Sequence, residues 1–127
     1  MCNGAAQQRT IFAHFNLYSK KSLSKGAKAT VGFFLDKQTS TLYYAVSWCS
    51  PKDKFVKKEG IRLVSERIKD NVDNGIGLPN FVYSGYRSYY EVCHTLLKLD
   101  TASTFAPNWA KQYKFTEADL YDYAGNY

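Results

Sequence analysis

The stretch "KATVGFFLDKQTSTLYYAVSWC", residues 28–49, decides the fold. Apolar side chains alternate with other side chains over 28–36 and again over 41–49, which is the period of a strand with one buried face. Residues 36–41 between them, "DKQTST", are typical of a turn. The two strands are close enough in sequence to pair as a hairpin. Their predicted inward face carries Ala29, Val31, Phe33, Leu35, Leu42, Tyr44, Val46 and Trp48.

A third strand is predicted upstream, at residues 10–18, "TIFAHFNLY". The polar, glycine-bearing residues 19–28, "SKKSLSKGAK", predict a loop that joins it to the hairpin. Residues 80–85, "NFVYSG", are either a short fourth strand or an extended link. The predicted sheet is therefore an antiparallel meander of three or four strands. The inward face of the first strand is predicted to carry Ile11, Ala13, Phe15 and Leu17.

Downstream of the hairpin, "CSPKDKFVKKEGIRLVSERIKDN", residues 49–71, predicts a helix over 51–70. Ser50 is a favourable N-cap, Pro51 suits the first helical position, and Asp53 lies where a capping box has its acid. Gly60 costs this helix about 1 kcal/mol relative to alanine. We expect either a close approach to Gly60 by a neighbouring strand or a ligand, or simple packing on the sheet. The apolar stripe is Phe55, Ile61, Val64, Ile68 and Val72.

Two further helices are predicted. Ser88 and Glu91 form a capping box for a helix over 89–99, whose inward side is expected to hold Tyr89, Cys93, Leu96 and Leu99. A short C-terminal helix is expected within residues 116–125, "TEADLYDYAG". The predicted fold class is α+β, with two main helices packed on the antiparallel sheet. We expect one domain, residues 1–127, because the glycine-bearing link at 71–79 is too short to separate two cores.

Charge is distributed unevenly along the chain. Residues 1–69 hold 13 Lys/Arg and 4 Asp/Glu, whereas residues 70–127 hold 4 and 7, so the halves carry +9 and −3. A basic half indicates a face that meets an anion, and the chain also has 11 Tyr and 8 Phe. Aromatic rings stack on bases while Lys and Arg hold phosphates. No apolar run is long enough to span a membrane and no signal peptide is recognisable, so we expect a cytoplasmic protein with no membrane partner.

Catalytic and metal-binding patterns are missing from the sequence. Three cysteines and two histidines show no metal-ligand spacing, so neither a metal site nor a cofactor is predicted. Cys93 and His94 are neighbours on a helix and point about 100° apart, so they make a poor nucleophile and base. For Cys49 and Cys93 a small core residue is the favoured interpretation. No catalytic residue is predicted, although a small nucleotide-processing enzyme stays as an alternative.

What remains is a binding protein. The predicted ligand-binding residues are Lys57, Lys58, Arg62 and Arg67, which flank Gly60 on the first helix. Lys58 and Arg62 are four residues apart and share one helical face. The alternative interpretation is that these charges only keep the surface solvated. The expected partner is a phosphate-bearing nucleotide ligand, and a homo-oligomer is expected to complete its pocket.

Residues 49–68 also resemble small bacteriophage proteins, through Cys49-Ser50-Pro51-Lys52-Asp53, then Phe55, Lys57-Lys58, Gly60 and Arg67-Ile68. The pattern departs at Ile61, where a basic residue is common, and at Glu66, where a small one is common. With "RTIF" at 9–12 and a sheet followed by helices, the chain looks like the Thoeris anti-defence sponge proteins of phages. That resemblance implies a non-enzymatic oligomer that sequesters a nucleotide immune signal in the infected host cell. None of that family's ligand residues can be carried over.

Two function classes therefore remain. The favoured one is an immune-evasion protein that binds a nucleotide-type signalling ligand without converting it. The alternative is a nucleic-acid-binding protein or an inhibitor of a host nuclease complex, similar to anti-CRISPR proteins. A sponge needs a concave pocket, whereas a nucleic-acid binder needs an extended basic track.

Overall fold

The computed structural model describes residues 10–19, 22–50, 52–82, 84–103, 106–112 and 122–126. The strands are β1 (Ile11–Ser19), β2 (Ser22–Asp36), β3 (Thr41–Cys49) and β4 (Asp122–Asn126). The helices are α1 (Lys57–Asn74) and α2 (Tyr89–Thr101), followed by a 3-10 turn at Asn108–Gln112. The α+β class predicted from the sequence is confirmed.

The sheet is antiparallel, with the strand order β3-β2-β1-β4. The predicted hairpin is confirmed, because β2 and β3 pair from Asp36↔Thr41 to Lys28↔Cys49. The predicted loop over 19–28 is wrong in part, because β2 already begins at Ser22 and its first residues pair with β1. Main-chain hydrogen bonds hold this ladder, so polar side chains do not prevent it.

The fourth strand comes from the C-terminal end of the chain. Residues 122–126 pair with β1, so the predicted C-terminal helix is wrong there, and residues 113–121 lie outside the described residues. Local capping signals predicted the helix, whereas the strand forms by pairing with the distant β1. Residues 80–85 are not a strand where they are described; the nearest pairing is an isolated bridge between Leu42 and Leu78.

Both faces of the sheet are covered by helices. The predicted inward faces of β1, β2 and β3 are confirmed, and they pack against α2. The reverse face packs against α1, with Phe12 and Ala45 of the sheet contacting Val64 and Ile68 of the helix. The sheet is therefore the middle of three layers. The buried α2 side chains in the larger cluster are Val92, Cys93, Leu96 and Leu97.

The start of α1 differs from the prediction. The helix begins at Lys57, not at residue 51, and its N-cap Val56 makes no side-chain capping bond. Ser50 instead stabilises a tight turn, in which its hydroxyl accepts a hydrogen bond from the backbone N–H of Lys52 at 3.1 Å. Pro51 lies outside the described residues. Residues 54–56 are not helical, and they bring Phe55 against the sheet.

The C-terminal ends of the helices lie beyond the predicted ones: α1 ends at Asn74 and not at 70, and α2 ends at Thr101 and not at 99. Gly75 ends α1 with a left-handed φ of 68°, which a residue with a side chain rarely adopts. At α2, the backbone N–H of Glu91 donates to the Ser88 hydroxyl at 3.2 Å, as the capping box predicts. Two predicted inward residues of α2, Tyr89 and Leu99, are each 46% exposed. Tyr89 lies in the first turn at the end of the layer, and Leu99 is rotated away from the buried side.

The stripe predicted for α1 also needs correction at its two ends. Val72 is 39% exposed, so the buried stripe ends at Ile68. Phe55 precedes the helix and packs on the same sheet face from an extended segment. Ile61, Val64 and Ile68 lie toward the sheet as expected.

Candidate functional site

The four predicted ligand-binding residues do not converge on one point of the structure. Lys57 and Lys58 are exposed in the first turn of α1. Arg67 lies ten residues further along the helix, which is about 15 Å along its axis. Lys57 and Lys58 therefore belong to the first turn of α1, whereas Arg67 belongs to another part of the surface.

Arg62 is paired with acids of its own helix. Its guanidinium forms salt bridges with Glu59, one turn before it, and Glu66, one turn after it. The hydrogen bond with Glu59 is the main reason that the Arg62 pKa rises above its usual value. The same contact lowers the pKa of the Glu59 carboxyl. All three side chains are exposed, so the pairs contribute little to stability, but the two carboxylates outweigh the single positive charge of Arg62.

Arg67 lies at the edge of the sheet formed by β3. Its guanidinium donates to the carbonyl oxygen of Val46, and the Asn71 side chain donates to the carbonyl oxygen of Tyr44 at 3.1 Å. Two side chains of α1 thus occupy acceptors that another strand would use. Covering an edge in this way is a common defence against strand-to-strand association.

A buried carboxylate lies near the same edge. Asp100 of α2 is 8% exposed and accepts a hydrogen bond from Trp48 Nε1 at 2.8 Å. Burial raises the pKa of Asp100, and the hydrogen bond from Trp48 and the charge of Arg67 oppose that rise. The Trp48 ring also meets Trp109 edge-on, with ring centroids 6.3 Å apart. These contacts join β3, α2 and the 3-10 turn, and we interpret them as structural.

The surroundings of the first turn of α1 are basic and aromatic. Lys28 of β2 lies with its Nζ 5.7 Å from the centroid of the Phe55 ring and also donates to the Asn16 side chain. Phe55 is in turn followed closely by the exposed Lys57 and Lys58. We call Lys28, Lys54, Phe55, Lys57 and Lys58 the basic end of the molecule. The only acid of residues 50–58 is Asp53.

Beneath Phe55 lies a buried polar contact. His14 of β1 is 1% exposed, and its Nδ1 shares a hydrogen bond of 2.9 Å with the Thr30 hydroxyl. The Phe55 ring meets the His14 ring edge-on at a centroid distance of 5.5 Å. Phe55 therefore covers this pair from the solvent side and is itself half-buried.

Gly60 has the close neighbour that its position predicts. A Cβ at Gly60 would lie 2.3 Å from Thr30 Oγ1 and 3.0 Å from Thr30 Cβ. A strand of the sheet approaches the helix here, so a ligand is not needed to explain the glycine. The contact places the first turns of α1 directly over β2, and this brings Lys57 and Lys58 to the same end of the sheet as Lys28.

The described thiols have poor properties for nucleophilic chemistry. Cys93 is fully buried in the core, as predicted, and burial raises its pKa. Burial also raises the pKa of Cys49; Asp53 adds to the rise and Lys28 opposes it. A raised pKa keeps a thiol protonated, and the protonated form is not the nucleophile. Within the described part of the chain, no group of three His, Cys, Asp or Glu side chains is placed to hold a metal ion.

The contact between Lys28 and Phe55, close to the start of α1, was not predicted from the sequence. The hairpin register could have found Lys28, because pairing Asp36 with Thr41 also pairs Lys28 with Cys49, just before the lysine-rich segment. The sequence predicts Phe55 in the core stripe of a helix over 51–70, but that helix begins at Lys57, two residues after Phe55. No local signal in the sequence shows that residues 54–56 are extended.

No family model, curated protein or solved structure matches the chain. The resemblance to phage sponge proteins therefore stays a prediction from the sequence. Among the described helices, none is long and apolar enough to cross a membrane.

Proposed function

We propose that the protein binds a phosphate-bearing nucleotide ligand at its basic end and holds it without converting it. The observation that carries this proposal is the contact of the Lys28 ammonium with the Phe55 ring, next to a segment that holds the exposed Lys54, Lys57 and Lys58. Lysine ammonium groups hold phosphate, and an aromatic ring next to them offers a surface for a base. The proposal retains two of the four residues predicted from the sequence and replaces the two arginines.

The local electrostatics support an anionic ligand. Lys54, Lys57 and Lys58 are exposed, so a ligand can reach them without unfolding the site. The backbone N–H groups in the first turn of α1 lie in the same place, and Val56 caps none of them with its side chain. The positive end of the helix dipole adds to the attraction of the lysines for a phosphate.

Binding without turnover follows from the groups at hand. A lysine ammonium stabilises negative charge but cannot act as a base while it is protonated. The thiol of Cys49, the nearest sulfur to Lys28 in the strand register, has a raised pKa and is a poor nucleophile. The ligand is therefore expected to leave the protein chemically unchanged.

The wider role is proposed on the same basis. Sequestration of a nucleotide signal in the cytoplasm of an infected cell would make the protein a phage immune-evasion factor, as the sequence resemblance implies. Because the lysines are exposed, a second copy of the chain would serve to enclose the ligand. We therefore expect a homo-oligomer, which light scattering with and without ligand would detect.

One observation favours the alternative of a nucleic-acid binder. Strand β2 continues past the end of β3 to Ser22, and Lys25 lies on this extension. A binder of a longer phosphate backbone would need basic residues beyond Lys28, and the sequence of this extension supplies Lys25. Binding of this kind weakens steeply with salt, because each phosphate contact releases counterions.

The test uses a panel of cyclic and linear nucleotides together with a short oligonucleotide. The pure protein is incubated with each ligand and separated from unbound ligand, then denatured by heat, and the released ligand is analysed by mass. Intact release supports binding without turnover, and altered ligand would identify an enzyme. Tight oligonucleotide binding that increases with length and has a steep salt dependence would favour the alternative.

A variant pair assigns the site. Lys57→Ala combined with Lys58→Ala should weaken nucleotide binding by about tenfold or more, since an exposed charge pair is worth about 1 kcal/mol at contact. Lys69→Ala is the matched control, because Lys69 is an exposed lysine of the same helix far from its first turn. Equal affinities of the double variant and the control would place the ligand elsewhere.

A further inference from the structure

Lys28 and Phe55 make two contacts that a nucleotide could replace. In the structure, the Lys28 ammonium lies over the ring of Phe55 with Nζ 5.7 Å from its centroid, and it also donates to Asn16. A cation over an aromatic ring at a partly exposed site is held by only about 0.5–1 kcal/mol. A phosphate is a stronger partner for the ammonium, because the hydrogen bond is then charge-assisted on both sides.

Phe55 is held in place from below. Its ring meets His14 edge-on, and His14 is tied to Thr30 by a hydrogen bond of 2.9 Å. His14 and Thr30 are both almost fully buried, so this support is part of the packed layer between the sheet and α1. Moving Lys28 therefore does not require Phe55 to move.

We propose that Phe55 is the base-stacking residue of the site and that Lys28 switches from its ring to the ligand phosphate when a nucleotide binds. This inference rests on the proposed function and adds to it the part of the ligand that each residue recognises. Moving the ammonium uncovers the face of Phe55, and a nucleobase stacks there. The base and the phosphate are thus recognised by neighbouring residues, and Lys57 and Lys58 provide further charge on the phosphate side.

Two probes separate the recognition of base and phosphate. ADP carries a base and a diphosphate, whereas inorganic pyrophosphate carries only the diphosphate. Stacking on an aromatic side chain contributes roughly a 5- to 150-fold gain in affinity. Wild-type protein is therefore expected to bind ADP more tightly than pyrophosphate by a factor in that range, as measured by isothermal titration calorimetry.

Variants of Phe55 and Lys28 then assign the roles. Phe55→Leu should bind pyrophosphate as the wild type does but lose most of the extra affinity for ADP. Phe55→Trp should keep the wild-type affinities for ADP and pyrophosphate. Lys28→Met should weaken both probes. Phe34→Leu is the matched control. Phe34, like Phe55, is a partly buried phenylalanine, but it lies on β2 and stacks on Tyr43 away from the basic end. Its replacement should leave the affinities for ADP and pyrophosphate unchanged.

The outcomes are distinct. If Phe55→Leu proves too unstable to assay, Phe55→Trp still decides, because its indole fluorescence should be quenched by ADP and not by pyrophosphate. Pyrophosphate binding without any gain from ADP would overturn the stacking role and leave the proposed function standing. Failure of the wild-type protein to bind either probe would overturn both.

Discussion

Adding one methyl group at Gly60 tests the contact between α1 and the sheet. In Gly60→Ala the new Cβ would lie 2.3 Å from Thr30 Oγ1, a distance at which the two groups must move apart. Overpacking of this kind costs about 1–3 kcal/mol. Moving Thr30 also weakens its hydrogen bond to His14, which is worth about 0.5–1.5 kcal/mol.

Helix propensity acts in the opposite direction. Replacing glycine by alanine inside a helix stabilises it by about 1 kcal/mol. The steric and hydrogen-bond terms are larger, so we expect Gly60→Ala to lower the free energy of unfolding by about 1–3 kcal/mol. For a chain of this size, that loss corresponds to a fall in Tm of very roughly 3–12 °C.

The assay is thermal and urea unfolding followed by circular dichroism. Ser65→Ala is the matched control, because Ser65 is exposed on the same helix and its change alters propensity without a clash. In a Thr30→Ala background the hydroxyl is gone, so Gly60→Ala should cost less there than in the wild type. A rise in Tm for Gly60→Ala would refute the close contact.

Three further predictions follow from the charged groups. Asp100→Asn should remove a pH dependence of stability. Because the native pKa of Asp100 is raised above its unfolded value, the wild type should lose stability relative to the variant in urea unfolding as pH rises above about 4. Arg67→Ala combined with Asn71→Ala should leave two edge carbonyls of β3 without these donors, and concentration-dependent self-association should appear in light scattering. Lys58→Ala should weaken nucleotide binding more than Arg62→Ala in calorimetry, because the Arg62 charge is already paired with two acids.

Each of these has a contrary result. A wild-type curve that runs parallel to that of the Asn variant over this pH range would mean that the Asp100 carboxyl is not perturbed by burial. An unchanged mass for the double edge variant at all concentrations would show that other groups protect the β3 edge. A larger effect at Arg62 than at Lys58 would move the ligand toward the middle of α1.

Much of the fold could be predicted from local patterns. The hairpin of residues 28–49 and its buried face follow from alternation, because a strand places successive side chains on opposite faces. The capping box at Ser88 also lies where the sequence predicts. These signals are reliable because each depends on hydrogen bonds or burial within a few residues of the chain.

The residues of the candidate site were predictable only in part. Lys57 and Lys58 could be proposed from the sequence because they lie next to each other and to Gly60. Arg62 and Arg67 could not be excluded in the same way, because their acidic and carbonyl partners become known only when side chains and strands are placed. Lys28 is 29 positions from Lys57 in the chain, and it comes near the start of α1 through its pairing with Cys49 and its contact with Phe55.

Tertiary contacts decided the remaining features. The sequence by itself determined an α+β chain with an antiparallel hairpin, two helices and a basic first half. It did not determine that the helices cover opposite faces of the sheet, that residues 122–126 add a fourth strand, or that α1 begins only at Lys57. The capping signals at residues 50–53 do not start the helix. Residues 54–56 are extended instead, and Phe55 packs over the hydrogen-bonded pair of His14 and Thr30. The physical reason is that capping contributes about 1 kcal/mol locally, whereas packing between distant segments sums over many contacts.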